Sequence, residues 1–353
     1  MSFSPWIEID ASALAHNLGV VRSHAPGARV MAVIKANAYG HGVQLAAAAL
    51  ADADSFAVAR VEEGLELRRA GVDKPLLVLA GAHDAQELEA AAAAGLELVL
   101  HHSFQLALLR ETPLPAPVGV WLKVDTGMNR LGIAPGEVTA MLQALRPLAS
   151  LRGCLTHLAN ADDLGDDFSR VQVQRFHEAV SHTGLPLSIA NSAGILGWPE
   201  SHADWVRPGI MLYGASPFAA PVGDLQPAMT FASRLISVKK VRAGQSVGYG
   251  GVWQAPRDSL IGVVAAGYAD GYPRETPGGT PVLVNGRSVP LVGRVSMDTL
   301  MVDLSTQPDA RPGDEAVLWG RGLPAETIAG AVQTIPYTLF CGIGGRVRRK
   351  VRS

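Results

Sequence analysis

Val30-Met31-Ala32-Val33-Ile34-Lys35-Ala36-Asn37-Ala38-Tyr39-Gly40-His41-Gly42 decides the architecture. Its five leading apolar residues show no polar alternation, the pattern of a strand buried on both faces. The small and turn-forming residues beyond Lys35 mark where that strand stops. Lys35 therefore falls at the carboxyl end of a core strand, the edge where ligands of parallel α/β folds collect. An amine held against an apolar core has its ammonium form disfavoured and is freed to attack a carbonyl. On that fact alone a snorkelling, solvated lysine is the commoner outcome, so the rest of the chain has to decide.

Outward from this stretch, from Asp10 to about Gly214, short apolar runs alternate with Ala/Leu/Glu-rich helical patterns, the signature of repeated βα units. The runs predict eight strands, at Val30–Ile34, Phe56–Ala59, Leu76–Leu79, Leu96–Leu100, Val118–Val124, Gly153–Leu158, Leu187–Ala190 and Gly209–Tyr213. Helical patterns such as Val43–Ala51, Val61–Ala70, Ala85–Ala94 and Phe168–Ser181 lie between them, several closed by a glycine suited to a left-handed cap. Eight such units match a (β/α)8 TIM-like barrel better than an open doubly wound sheet. Polar or turn residues close or follow the runs: Lys35, Arg60, Gly81, His101, Lys123 with Asp125, His157 and Asn191-Ser192, while the eighth run is entered through Arg207-Pro208-Gly209.

Past Pro217 the helical period disappears. Phe231–Val241, Ser259–Ala266, Pro281–Val284, Ser288–Val292 and Ala316–Trp319 read as strands, Asn285-Gly286 signals a type I′ hairpin, and only Ala325–Gln333 reads as helix. The expected division is an α/β barrel over residues 10–220 and a second, mostly β domain over 221–353, with residues 1–9 available to pair with the latter.

The chain has 353 residues, 48% of them hydrophobic, ample for such cores. A formal charge of −2 gives no electrostatic case for nucleic acid or an anionic membrane. The basic run Arg346-Val347-Arg348-Arg349-Lys350 reads as a solvated end. Cys154 and Cys341 lie in apolar surroundings and read as small core residues, implying neither a disulfide framework nor a metal site. With no leader pattern and no apolar run long enough to cross a bilayer, the expectation is a cytoplasmic protein.

Three blocks then carry a specific resemblance. Val33-Ile34-Lys35-Ala36-Asn37-Ala38-Tyr39-Gly40-His41-Gly42, Lys123-Val124-Asp125-Thr126-Gly127-Met128-Asn129-Arg130-Leu131-Gly132 and Arg207-Pro208-Gly209-Ile210 are similar to those of alanine racemases. These are pyridoxal 5'-phosphate enzymes built from a barrel and a β domain, and the likeness runs in order along essentially the whole chain. It implies interconversion of L- and D-alanine, supplying D-alanine for peptidoglycan, by a homodimer with shared active sites.

By the same resemblance, Lys35 binds the cofactor's aldehyde and serves as one proton-transfer base, and Tyr39 contacts the phosphate. Ser192, at a predicted helix N-cap, and the amides of Gly209 and Ile210 would complete a phosphate site; Ser192 alone also fits ordinary capping. Arg207 would face the pyridine nitrogen, and having no lone pair to accept with, it would leave that nitrogen unprotonated and suppress transamination. Racemisation needs a second base on the opposite face of Cα, which the resemblance assigns to Tyr249 of the partner subunit, tuned through His157 and Arg207. His157 taken alone reads as a core histidine.

Arg130 is implied as donor to the cofactor's phenolic oxygen and as a substrate contact, beside a Lys123 that carries a carbamate in some members. In the second domain Met297 and Asp298 resemble substrate-site residues. Tyr268, Arg274, Asp162 and Arg294 resemble residues of the substrate access channel. One departure stands out. Many members place a tyrosine before the Arg-Val pair near the C-terminus, where this chain has Gly345. A missing phenol widens the site, which keeps open a racemase of broader amino-acid range. A non-catalytic pyridoxal-phosphate carrier of one barrel would explain Lys35 but leaves the β domain unused.

Overall fold

The computed structural model describes residues 3–352. The chain divides into two compact units, one formed by Ala15–Leu212 and the other by the segment from Tyr213 onward together with the N-terminal stretch up to Leu14.

The first unit is a closed barrel of parallel strands at Arg29–Val33, Ser55–Val58, Leu76–Val78, Glu97–Leu100, Val118–Lys123, Ala149–Leu155, Leu187–Ser188 and Trp205–Val206. The first and last pair through Arg29 with Trp205 and Val30 with Val206, which removes every free edge. Their apolar side chains fill the interior, and bulk is traded between strands. A methyl at Gly153 would lie 2.3 Å from the Trp121 ring, so the glycine makes room for the indole. Helices begin and end where the sequence provides caps. The Asp84 side chain accepts from Glu87 N, and Gly71 and Gly95 take positive φ one residue past their helices' caps.

One strand differs from expectation. Gly209–Tyr213, read as the eighth strand, is instead a 3-10 turn at Ile210–Tyr213, and Trp205–Val206 closes the barrel. Pro208 lacks the N–H a ladder needs, and a short apolar run buries itself equally well as a turn. Arg207-Pro208-Gly209 thus leaves the last strand rather than entering it. The residues that end or follow the strands, Arg207 now among them, therefore share the barrel's carboxyl end.

The second unit is an eight-stranded sheet in the order Ser259–Val264, Leu300–Asp303, Arg287–Val292, Pro281–Val284, Glu315–Trp319, Met229–Val241, Trp6–Asp10 and Arg348–Arg352. The N-terminal strand belongs to this sheet, antiparallel to Met229–Val241 and parallel to the C-terminal strand. The long strand Met229–Val241 also pairs with Ser259–Val264, so the sheet curls on itself around Val247, Ile261, Val292 and Met301. Asn285 and Gly286 have φ of 50° and 75°, the type I′ geometry their dipeptide signals.

Three readings of this half are corrected. Helix is not confined to Ala325–Ala331, since Pro336–Cys341 forms another with Pro336 in its first turn. The basic C-terminus is not a loose solvated end. Arg348–Arg352 is an edge strand, exposed but hydrogen-bonded, with Lys350 Nζ 4.2 Å from the Trp6 ring centroid; strand charges of this kind block edge-to-edge pairing. Cys154 is buried, its thiol pushed up to about 12 by burial, whereas Cys341 is exposed rather than part of a core. Among the described residues no helix is long and apolar enough to cross a membrane.

Candidate active site

Lys35 opens the turn that follows the first barrel strand, and that turn is left-handed. Ala36, Asn37, Ala38 and Tyr39 have φ of 53°, 53°, 53° and 52° before Gly40 at 79°. Each such L-residue costs roughly 1–2 kcal/mol, so four in a row without a glycine are held by their surroundings. Asn37 Oδ1 accepts from Val43 N at 2.8 Å, and Glu63 Oε1 accepts from Ala36 N at 2.7 Å. His41 Nδ1 lies 3.1 and 3.0 Å from the carbonyls of Ala38 and Tyr39, and burial pushes this imidazole down to about 4.

The turn carries Tyr39, buried, against the loop that leaves the neighbouring last strand, where Val33 N donates to Pro208 O at 2.9 Å. A methyl at Gly209 would lie 2.6 Å from the Tyr39 hydroxyl, so only glycine admits this approach. Ser192 Oγ accepts from Gly209 N at 2.9 Å and from Met211 N at 3.4 Å, which leaves its own O–H to donate. The expected helix cap is displaced by one residue. Asn191 is the N-cap, accepting from Gly194 N, while Ser192 is the first helical residue. Gly209 contributes space, because its amide is committed to Ser192. The cradle of Tyr39, Ser192 and Gly209 suits an anion such as a phosphate.

Arg207, 4% exposed, is fixed by the barrel itself. Nη1 donates to Ser188 Oγ at 2.6 Å, and Nη2 donates to the carbonyls of Thr156 and Ile189, the latter at 3.2 Å. Nη2 also lies 3.4 Å from His157 Nδ1. A guanidinium can only donate, so Nδ1 is the acceptor and the neutral ring carries its proton on Nε2. Burial, followed by the cations Arg207, Lys123, Arg130 and Lys35, holds His157 well below the usual histidine range. Burial with Arg207 and Arg130 brings Lys123 down to about 8, and burial alone brings Arg207 down to about 10. Asp125 is the carboxylate that counters these charges at Lys123. Its Oδ1 accepts from Gly127 N and Asn129 N, shaping the loop that presents an exposed Arg130.

The structure thus brings Lys35, Tyr39, Lys123, Arg130, His157, Ser192, Arg207, Gly209 and Ile210 to one end of one unit, where cations are in excess. Asp162 lies in the same unit, exposed on the segment following the sixth strand. Tyr249, Tyr268, Arg274, Arg294, Met297 and Asp298 lie in the other unit. Tyr249 sits among Gly248, Gly250 and Gly251, all at positive φ, and is 72% exposed. Tyr268 N and Ala269 N donate to the carbonyls of Ser296 and Met297, which joins two of these segments. Arg346, inside the run read as a solvated end, donates to Asp270 at 2.7 and 3.1 Å and to Asp298 at 2.6 Å. Sequence reasoning missed Arg346 with Asp270, and also Ser188, Thr156 and Glu63. Of these only Glu63 left a signal, three residues past Arg60 where a helix-capping carboxylate belongs.

The family model described as alanine racemase, N-terminal domain, matches residues 9–217, and that described as alanine racemase, C-terminal domain, matches residues 228–351. The chain belongs to the alanine racemase family. The alanine racemase of Nitrosococcus oceani is 50% identical over 351 residues, covering 98% of each chain. That of Aeromonas hydrophila is 49% identical over 346 residues, covering 96% of this chain and 97% of its own. The crystal structure of the biosynthetic alanine racemase from Pseudomonas aeruginosa superposes with a TM-score of 0.95 at 42% identity, covering both chains in full (100%). An alanine racemase from Bartonella henselae, solved with covalently bound pyridoxal phosphate, gives a TM-score of 0.90 at 29% identity over 99% of each chain. The family's match to both units removes the single-barrel carrier as a reading.

Proposed function

We propose that this protein interconverts L- and D-alanine with pyridoxal 5'-phosphate as cofactor, using Lys35 on one face of the substrate Cα and Tyr249 of the partner subunit on the other. The observation that carries the reading is Lys35 beside the Tyr39–Gly209–Ser192 cradle, ringed by Lys123, Arg130 and Arg207. Bound there, the cofactor supplies the electron sink that acidifies the Cα hydrogen.

Lys35 Nζ is the amine that would hold the cofactor's aldehyde, and when free it would take or return the Cα proton on its face. Tyr39 Oη, the Ser192 hydroxyl and the Ile210 amide hold the phosphate. Arg207 would face the ring nitrogen, and a fixed cation without a lone pair would leave that nitrogen unprotonated, favouring proton return to Cα. His157, accepting from Arg207 at Nδ1, offers Nε2–H to the Tyr249 oxygen of the partner subunit and steadies its anion. Arg130 binds the cofactor's phenolic oxygen and the substrate carboxylate, with Met297 and Asp298 of the partner subunit closing the substrate site. Tyr268, Arg274 and Arg294 of the partner subunit, with Asp162, line the access channel.

Lys123, brought down to about 8, presents a neutral amine fraction to carbon dioxide. The N–C bond forms, a proton is released, and the carbamate anion answers Arg130 and Arg207. The protein acts as a homodimer in the cytoplasm and supplies D-alanine for peptidoglycan. A second reading, a wider substrate range, is favoured by Gly345, around whose built Cβ nothing lies within 4 Å. Turnover of serine within about tenfold of alanine would establish it.

Borohydride reduction followed by peptide mapping tests the main reading. The expected result is cofactor on the Lys35 peptide, with D/L-alanine exchange on the same preparation before reduction. Cofactor on another lysine, or no exchange, contradicts it.

A further inference from the structure

We propose that Glu63 is a positioning residue for the cofactor phosphate, its carboxylate holding the left-handed turn after Lys35 in the hand that carries Tyr39 to the Gly209 and Ser192 cradle. The inference rests on the cofactor reading above.

Glu63 stands in the first turn of the helix Val61–Arg69, where a carboxylate ordinarily serves the helix's own amides. One oxygen does that work here. Oε2 accepts from Ala59 N at 2.6 Å and from Arg60 N at 3.2 Å. The other oxygen reaches out of the helix. Oε1 accepts from Ala36 N at 2.7 Å, a residue 27 positions earlier in the chain. No capping requirement explains that second bond.

The amide it holds is the one at which the chain changes hand. Ile34 has φ of −117°, and Ala36 is the first of four consecutive residues at positive φ. Ala36 and Ala38 have no side-chain group to favour that conformation, and the turn contains no glycine before Gly40. The hand must therefore be imposed from outside. Glu63 fixes the start of the turn, while Asn37 Oδ1 on Val43 N ties it to the helix that follows. With both ends held, Tyr39 is delivered over the Cα of Gly209, the residue whose amide donates to Ser192 Oγ. If the Ala36 amide is released, the turn can relax toward the right-handed form, and the phenol leaves the cradle while Lys35, ahead of the released amide, keeps its place beyond the strand Arg29–Val33.

A glutamine has one acceptor oxygen where the carboxylate has two. Glu63→Gln therefore keeps the two-donor helix cap and gives up the Ala36 bond, which separates capping from positioning. The test titrates the apoprotein with pyridoxal 5'-phosphate and, separately, with pyridoxal, which has the aldehyde without the phosphate; visible absorbance reports binding. Glu63→Gln should weaken binding of the phosphorylated form roughly ten- to hundred-fold and leave pyridoxal within about threefold, the scale of one charge-assisted hydrogen bond acting through Tyr39. Its Tm should stay near that of wild type, while Glu63→Ala should lower Tm as well. In a Tyr39→Phe background Glu63→Gln should cost little further affinity, because both act on one contact. Equal weakening of both forms, full retention of the phosphorylated form, or an undiminished effect in Tyr39→Phe would each overturn the proposal. Wild-type protein that binds pyridoxal as tightly as its phosphate would overturn the cradle, and this inference with it.

Discussion

The carboxyl end of the barrel and the Tyr249–Asp298 face of the β unit are built in opposite ways. At the barrel end the side chains themselves are pinned. Arg207 is buried and donates to Ser188, Thr156 and Ile189, and the turn behind Lys35 is held at both ends. On the β unit it is the backbone that is pinned, by the Tyr268–Ser296 and Ala269–Met297 bonds and the Arg346 ion pairs, while Tyr249 and Met297 remain 72% and 52% exposed. The first region is pre-organised to hold charge on an anionic ligand. The second presents rigid loops with uncovered apolar tips, the form of a surface finished by another molecule, which in the proposed mechanism is a second copy of the chain.

If that contrast is right, changes at the two regions fail differently. The largest effect is expected at Lys35. On its proposed roles, Lys35→Ala would remove the cofactor's attachment and one base together, so alanine exchange followed by circular dichroism should fall by at least about 10⁴-fold. Tyr249→Phe comes next, with a loss of about 10²–10⁴-fold in racemisation and an unchanged Tm, since the exposed hydroxyl supports no packing. Solvent deuterium should still enter Cα of one enantiomer, served by Lys35. Equal loss of exchange from both enantiomers would show that Tyr249 is not a separate base.

Arg207→Glu should cost about a hundredfold in racemisation and release cofactor in its amine form during turnover, visible in the absorbance spectrum. No rise in that form would remove the proposed role of Arg207 in suppressing transamination. The smallest effect is electrostatic. Lys123 falls from an ordinary 10.5 to about 8 in the folded protein, so the unfolded chain holds this proton more tightly. The resulting penalty on the apoprotein is full below pH 8 and fades between pH 8 and about 10.5 as the proton is lost. In carbon dioxide-free buffer, Lys123→Met should therefore be more stable than wild type at pH 7 by a margin that shrinks through that window. A margin constant from pH 7 to 10 would contradict the cationic reading of the barrel mouth.

Much of this was legible because the barrel repeats one pattern. Unbroken apolar runs give buried parallel strands, and the residues at or just past the carboxyl end of each run fall at the same end, so Lys35, Lys123 and His157 could be placed together from order alone. The eighth strand was misplaced because Ile210–Tyr213 is apolar enough to be either strand or turn, and only Pro208 argued against the ladder. Ser192 was read one position off because Asn191 and Ser192 are both good caps, and tertiary contact with Gly209 decides between them. The hand of the turn after Lys35 had no sequence sign, since alanines favour the opposite hand. Arg346 looked like tail charge because its partners Asp270 and Asp298 are brought to it only by the folded sheet.

Mixed oligomers of Lys35→Ala and Tyr249→Phe chains test the central claim most directly. Each variant alone lacks one base at every site. In a two-fold dimer of one chain of each, one site collects both changes and the other collects neither. The account predicts that racemisation returns on mixing, at the level of one working site of two. Heterodimers confirmed by mass spectrometry that remain inactive would contradict it, because a phenol acting within its own chain cannot be rescued by a neighbour.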